Sequence, residues 1–254
     1  MSIHDMEGIR LPEPSTGDRA TQVGSSHHFT GQIVLGDGPG RVVGLESHLE
    51  MKAALILAAR PSTDALFEQI AFAWRDADAA SRTHYIDLVV RRTDGRWIGY
   101  AVRPKGRVTP TYLAQLARIK AQAIAAGFLS DLRLFSEHDV DPVALFNAKL
   151  LQAVRVPDPD PDAAARAAAA RITGVTTVGA LVDETGLGGA GFRAVVRLIR
   201  SGHLTPVRQT RIDRDTEVFK ARACNPPSDV ADPTPDAGPA PGAVAPARPS
   251  AEPR

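Results

Sequence analysis

The feature that most constrains this sequence is a pair of apolar runs around Thr93-Asp94-Gly95. His84-Tyr85-Ile86-Asp87-Leu88-Val89-Val90 precedes the turn, and Trp97-Ile98-Gly99-Tyr100-Ala101-Val102-Arg103-Pro104-Lys105 follows it. β-Branched and aromatic side chains suit a pleated backbone, and Asp-Gly accepts the positive φ of a tight turn, so the segment predicts a β-hairpin. Residues two apart on a strand share a face. Ala101 and Arg103 therefore project together from the second strand, with Asp87 early on the first.

Helical patterns flank the hairpin. Before it, Ser47 with Glu50 three residues on is a capping-box pattern, and Leu49, Ala53, Ile56 and Leu57 follow at helical spacing until Pro61. Glu46 and Glu50 lie one turn apart, so they can either direct a carboxylate pair toward the hairpin or simply close the cap. Leu66–Trp74 carries Phe67, Ile70, Phe72 and Trp74 but is too mixed in period to assign. After the hairpin, Thr111–Ala126 predicts a helix facing inward through Leu113, Leu116, Ala117, Lys120 and Ile124, with Gly127 as its stop. Leu132-Arg133-Leu134-Phe135 reads as a short buried strand, and Val143–Val154 as an amphipathic helix. The order predicts an α/β domain over residues 41–156, a mixed sheet covered by helices.

Residues 1–40 mix Gly, Ser, Pro and charges without period and predict a flexible leader. The His27-His28 pair inside it lacks partners at ligand spacing and reads as solvated loop. The Pro/Asp alternation of residues 157–162 predicts an extended linker, followed by an alanine-rich helix to about residue 171. Residues 171–223 then give a short helix (Thr177–Thr185), a glycine turn, a helix from about Ala190 to Ser201 and a second hairpin (Pro206–Phe219). That is the layout of a winged helix-turn-helix. Residues 225–254 contain nine prolines and predict a disordered tail.

Total charge makes no case for nucleic acid, because 30 basic residues face 29 acidic ones. Local charge does. Residues 186–223 hold eight basic side chains against three acidic, Asp213, Asp215 and Glu217. Arg193, Arg197 and Arg200 line one face of the second helix, and Arg208 and Arg211 sit in the hairpin, a pattern that predicts contact with double-stranded DNA, with protein docking as the alternative. The single Cys224 excludes an internal disulfide and a multi-cysteine zinc site. Hydrophobic residues make up 43%, enough for a core, yet no run suggests a membrane span, so a soluble cytoplasmic protein is expected.

At Glu46-Ser47-His48-Leu49-Glu50, Tyr85-Ile86-Asp87-Leu88-Val89 and Tyr100-Ala101-Val102-Arg103-Pro104 the chain resembles TnsA. This is the endonuclease subunit of heteromeric cut-and-paste transposases, in the PD-(D/E)XK nuclease superfamily. The resemblance extends over roughly residues 40–155, including the strand end Phe135-Ser136-Glu137, and the module that follows resembles the family's second domain. It implies a restriction-endonuclease-like mixed sheet flanked by helices, then a small winged domain. It also implies a magnesium-dependent DNA endonuclease working with a transposase catalytic subunit and a regulatory ATPase. The family's helix glutamate falls on Glu50 and its strand aspartate on Asp87, which with the Val102 carbonyl would hold Mg2+.

The family's Gln/Glu-X-Lys pair falls on Ala101 and Arg103, and here the chain departs from the pattern. Ala101 removes a side-chain ligand. Arg103 supplies charge but does not surrender a proton, leaving Lys105, two residues on, as a substitute cation. A nuclease fold that has lost catalysis and serves as a DNA-binding or partner-docking protein, even a transcriptional regulator, is the rival expectation.

Overall fold

The structure is a computed structural model that describes residues 10–19 and 29–221; His27, His28, Cys224 and the proline-rich tail lie outside the described residues. The expected hairpin forms as β4 (Ser81–Arg92) and β5 (Trp97–Val102). Before it, Leu66–Trp74 belongs to a 13-residue strand, β3 (Thr63–Arg75). The expected short strand is β6 (Asp131–Phe135). The four run in the order β3-β4-β5-β6, antiparallel except for the parallel β5–β6 pair, and so form a mixed sheet.

Helices cover both faces of this sheet. On one side α1 (His48–Ala58) and α3 (Pro142–Ala153) enclose Leu57, Leu66, Leu88, Val90, Ile98 and Phe135. On the other, α2 (Pro110–Ala125), the crossover between β5 and β6, packs on Ile70, Phe72, Ile86, Val89, Ala101 and Leu132. The buried face of α2 is Leu116, Ile119 and Ala123, with Tyr112 half-buried, whereas Leu113 and Ile124 are exposed. The face expected from sequence is therefore rotated by about a residue. An alanine-rich helix offers several apolar stripes, and the sheet selects one of them.

The described part of the leader is not free. Ile33-Val34-Leu35 and Val42-Val43 fall on β1 (Gly31–Leu35) and β2 (Arg41–Leu45), an antiparallel pair joined by a turn in which Gly36, Gly38 and Gly40 all adopt positive φ. The glycine cluster is thus a tight turn, the one backbone shape that glycine alone supplies cheaply. Residues 10–19 lie against the same region. Glu13 bridges to Arg41, the Asp18 amide donates to the Gln69 carbonyl at 3.1 Å, and the Ala71 amide donates to Asp18 at 2.8 Å.

At the centre of β3 the inward faces change over. Leu66 packs with the α1 cluster, whereas Ile70, Phe72 and Trp74 pack with the α2 cluster, although all four numbers are even. On β4 the same slip separates Leu88 from Ile86, again on opposite faces. The pairing frame survives, with Glu68 opposite Leu88 and Ile70 opposite Ile86, so both strands slip together at Gln69 and Asp87. Gln69 accommodates the change with φ 50, a left-handed conformation rare for a residue with a side chain.

Beyond α3 the expected linker is mostly helical. The helix α4 runs from Pro159 to Ala170, with Asp160 and Asp162 in its first turn and the Asp158 amide donating to Asp162 at 3.0 Å. Proline is tolerated at a helix start because the amides there lack intrahelical partners, and acidic side chains favour the positive end of the helix dipole. Next come β7 (Val175–Thr177), α5 (Val178–Thr185), α6 (Gly188–Arg200), β8 (Leu204–Pro206) and β9 (Glu217–Lys220), the strands pairing antiparallel in the order β7-β9-β8. Helices α5 and α6 meet closely at Gly191, where a Cβ would fall 2.2 Å from Thr185 Oγ1. Their shared core contains Val178, Leu181, Val195, Leu198, Leu204 and Val218.

The two modules touch directly. Val154 packs with Val196 and Ile212, and the Asn147 side chain donates to the Thr210 carbonyl and accepts from the Ile212 amide. Within the second module Arg197 is almost enclosed and donates from Nε to Asp162 at 2.6 Å, their side chains being 12% and 11% exposed. Removing one partner of such a pair strands the other charge. Asp162→Ala is therefore expected to destabilise the fold by about 3 kcal/mol in urea denaturation, whereas Arg193→Ala, on the exposed side of α6, should stay within about 0.5 kcal/mol.

Candidate active site

The slip in β3 and β4 creates the site. Where the β4–β5 ladder ends at Leu88 and Tyr100, the Val102 amide donates instead to Asp87 Oδ2 at 2.7 Å. Gln69, 1% exposed, reaches Asp87 Oδ1 from the other side, its Nε2 donating at 3.4 Å. Asp87 is thus gripped between its two neighbouring strands at the point where both faces change.

Glu50 approaches from the first turn of α1. Ser47 caps that helix by accepting from the Glu50 amide at 3.1 Å, and Glu50 returns the contact by accepting from the Ser47 hydroxyl and the Glu46 amide, both at 2.9 Å. The carboxylate is turned to the cap, and its charge is felt at Asp87. It is 7% exposed.

Electrostatics couple the acids. Burial pushes the Asp87 carboxyl up to about 7, and the charges of Glu50 and Glu46 add to the rise against the Val102 and Gln69 hydrogen bonds. Glu50 is raised by burial, then by Glu46, while the Glu46 amide, Ser47 and Arg19 pull it down. The Glu50 charge opposes ionisation of the buried Asp87, and a positive charge beside the two would relieve that opposition. One cation is supplied internally. Arg19 Nη2 donates to Glu46 at 2.6 Å and to Gln69 Oε1 at 2.8 Å, and the guanidinium lies 5.2 Å from the Tyr85 ring.

The other half of the site is different. Ala101 is fully buried and offers only a methyl group. Arg103 lies 4.1 Å from the Tyr112 ring centre and donates from Nε to the Arg107 carbonyl at 2.8 Å. Tyr112 feels both neighbours: burial and the Asp87 charge raise its hydroxyl pKa, and Arg103 lowers it. The strand ends at Val102, and Lys105 opens an exposed 3-10 turn, its amide donating to Glu137 at 2.8 Å. Lys105 therefore does not continue the face shared by Ala101 and Arg103.

Among the described residues no group of three or more His, Cys, Asp or Glu side chains is arranged to hold a metal ion. The Glu50–Asp87 pair nevertheless fits magnesium, which commonly takes only one or two protein carboxylates. Sequence reasoning names Glu50, Asp87 and Arg103: the Glu50 charge is felt at Asp87, and Arg103 lies on Tyr112, which also feels the Asp87 charge. It misses Gln69, Arg19 and Tyr112. The polar pair Glu68-Gln69 interrupting the apolar run of residues 66–74 was the available signal for the first.

The five arginines expected at DNA divide. Arg193, Arg208 and Arg211 are exposed, the last 5.1 Å from the Phe146 ring, while Arg200 pairs with Asp37 and Arg197 with Asp162. Spacing places Arg193, Arg197 and Arg200 on one side of α6, as expected, but Arg197 and Arg200 meet acidic partners on other segments. No helix among the described residues is long and apolar enough to cross a membrane. No protein-family model matches the chain, and a comparison with curated proteins finds no match either.

The raised Asp87 has a consequence for stability. Its folded pKa of about 7 exceeds the unfolded value near 3.9, so the fold binds the extra proton between these limits and loses stability as pH rises through them. In chelator-treated buffer, Asp87→Asn should be more stable than the wild type by on the order of 3 kcal/mol at pH 8, the gain shrinking as pH falls toward 4. Urea denaturation at several pH values measures it.

Proposed function

We propose that this chain is a TnsA-like DNA endonuclease subunit that depends on a divalent cation and in which the cleavage half of the site is weakened. The observation that carries the reading is the nearness of Glu50 and Asp87, two acids from a helix start and a central strand: burial raises the proton affinity of both, and the Glu50 charge raises that of Asp87 further. Glu50, Asp87 and the Val102 carbonyl would hold magnesium. The bound ion would polarise a phosphodiester and acidify a coordinated water. Arg103 lies close enough to share Tyr112 with Asp87 and offers fixed positive charge to a phosphate, anchored by the Arg107 carbonyl.

The mixed four-stranded sheet with helices on both faces is compatible with a restriction-endonuclease-like domain. Helices α4, α5 and α6 with the sheet β7-β9-β8 support a winged helix-turn-helix reading, α6 being the recognition helix and residues 207–216 the wing. Arg193, Arg208 and Arg211 are the exposed cations that would meet double-stranded DNA. A transposase catalytic subunit and a regulatory ATPase are the partners this reading brings with it.

A second reading is favoured by one observation. Ala101 gives the site no side-chain donor, and the Arg103 Nε is already committed to the Arg107 carbonyl, so a non-cleaving nuclease fold that binds DNA or docks a partner, including in transcriptional control, uses every other feature equally well. Nicking of supercoiled plasmid with manganese separates the two. Slow nicking by the wild type, nicking at least about tenfold faster by Arg103→Lys, and none by Asp87→Ala are expected. Silence from the wild type and Arg103→Lys, with a transposase subunit added, favours the binding protein.

For the winged domain, Arg193→Ala with Arg208→Ala should weaken duplex binding and lower the slope of log affinity against log salt by about 2. Mobility shifts over a salt series read this directly, and an unchanged slope would mark the module as a protein-docking one.

A further inference from the structure

The turn that joins β5 to α2 carries positive charge that the fold does not use. Arg103, Lys105 and Arg107 alternate through it with no acid between them. None of the three enters an ion pair among the described residues, whereas Arg82, Arg91, Arg92, Arg96 and Arg133 around the same sheet each meet an aspartate. Glu137 meets the turn at the Lys105 amide, at 2.8 Å. Like charges so close in sequence oppose one another, and an anion brought to them relieves that opposition.

The turn is also ordered. The Arg103 amide donates to the Phe135 carbonyl at 2.9 Å, its Nε donates to the Arg107 carbonyl at 2.8 Å, and its guanidinium carbon lies 4.1 Å from the centre of the Tyr112 ring. Tyr112 is half-buried in the first turn of α2, its amide donating to the Thr109 cap at 3.2 Å. The Arg107 amide closes on the Pro104 carbonyl at 2.8 Å and the Val108 amide on the Lys105 carbonyl at 3.0 Å, while the Lys105 and Arg107 side chains stay exposed. An arginine kept only for solubility would retain its rotamer freedom. This one is held at Nε and over a ring, which leaves Nη1 and Nη2 as the donors to meet a phosphate.

The turn begins directly after Val102, the residue whose amide holds Asp87. We propose that it is the sheet domain's contact with the duplex backbone: Arg103, Lys105 and Arg107 take phosphates next to the one at Asp87, and Tyr112 is the positioning residue that holds Arg103 for its phosphate. The proposal rests on the reading of the chain as a DNA-binding protein. It gives Lys105, which is out of line with Ala101 and Arg103, a phosphate to hold. It also accounts for arginine at position 103, because a lysine has no stem nitrogen to bond the Arg107 carbonyl while its charge lies on Tyr112. Contacts of this kind fix the register of a duplex without reading its bases.

The test is duplex binding by the full chain, followed by fluorescence anisotropy over a salt series. Lys105→Ala with Arg107→Ala should weaken binding about tenfold at moderate salt and lower the slope of log affinity against log salt by about 2. Both side chains are exposed, and the Arg107 carbonyl that holds Arg103 survives the change. Tyr112→Phe keeps the ring and should bind within about twofold of the wild type, whereas Tyr112→Leu should bind about fivefold more weakly. In an Arg103→Ala background Tyr112→Leu should cost nothing further. Circular dichroism shows which variants are folded.

An unchanged slope for Lys105→Ala with Arg107→Ala, where Arg193→Ala with Arg208→Ala lowers it, assigns the duplex to the winged module alone and overturns the proposal while the DNA-binding reading stands. A loss from Tyr112→Leu that is equally large without Arg103 marks the ring as merely structural and removes its positioning role. If the wild type binds no duplex, the DNA-binding reading falls, and this proposal with it.

Discussion

The molecule turns on one backbone event, the simultaneous change of face in β3 and β4 at Gln69 and Asp87. An ordinary antiparallel pair alternates faces without interruption, and a polar residue then points either into one core or into the other. Here the alternation breaks in both strands at one level, so the pairing frame is kept while the two halves of the ribbon bury opposite sides. Asp87 falls at the break and is held by the edges of its neighbours, the Val102 amide on one strand and the Gln69 side chain on the other. An acid can be kept among buried strands in this way because its hydrogen bonds come from the sheet itself.

That event also explains what could be read from sequence. The β4–β5 hairpin was legible because its turn and alternation are local. Leu66–Trp74 was not, because Leu66 and Ile70 share a parity but not a face, and a period-two test fails on a strand that reverses halfway. Glu50 could be placed from its cap and Asp87 from its strand. Gln69 and Arg19 come from segments with no regular pattern, and only tertiary pairing brings them to the acids.

The second module shows the same limit on a helix surface. Spacing correctly puts Arg193, Arg197 and Arg200 on one side of α6, opposite its apolar stripe. What spacing cannot supply is the acid that Arg197 and Arg200 each meet. Asp162 was assigned to a linker and Asp37 to a leader, yet Asp162 begins a helix packed on α6 and Asp37 lies in the β1–β2 turn. The linker and leader readings rested on proline and glycine content, and both residues are also the normal punctuation of ordered structure, proline at a helix start and glycine at a turn.

Both corrections bear on how the chain can work. A long flexible joint would let the basic module wander relative to the sheet domain, whereas Asn147 bonds the 207–216 loop at two backbone positions and Arg200 ties α6 to the β1–β2 turn. The exposed cations of α6 and this loop are therefore positioned with respect to Asp87 by packing and hydrogen bonds. Asp87 itself weakens the fold when ionised, since burial and Glu50 oppose its charge. A protein selected for stability alone would place a neutral side chain there. On the proposed reading a ligand that favours the charged form would account for that cost, and a positive charge brought beside Glu50 and Asp87 would repay it as binding energy.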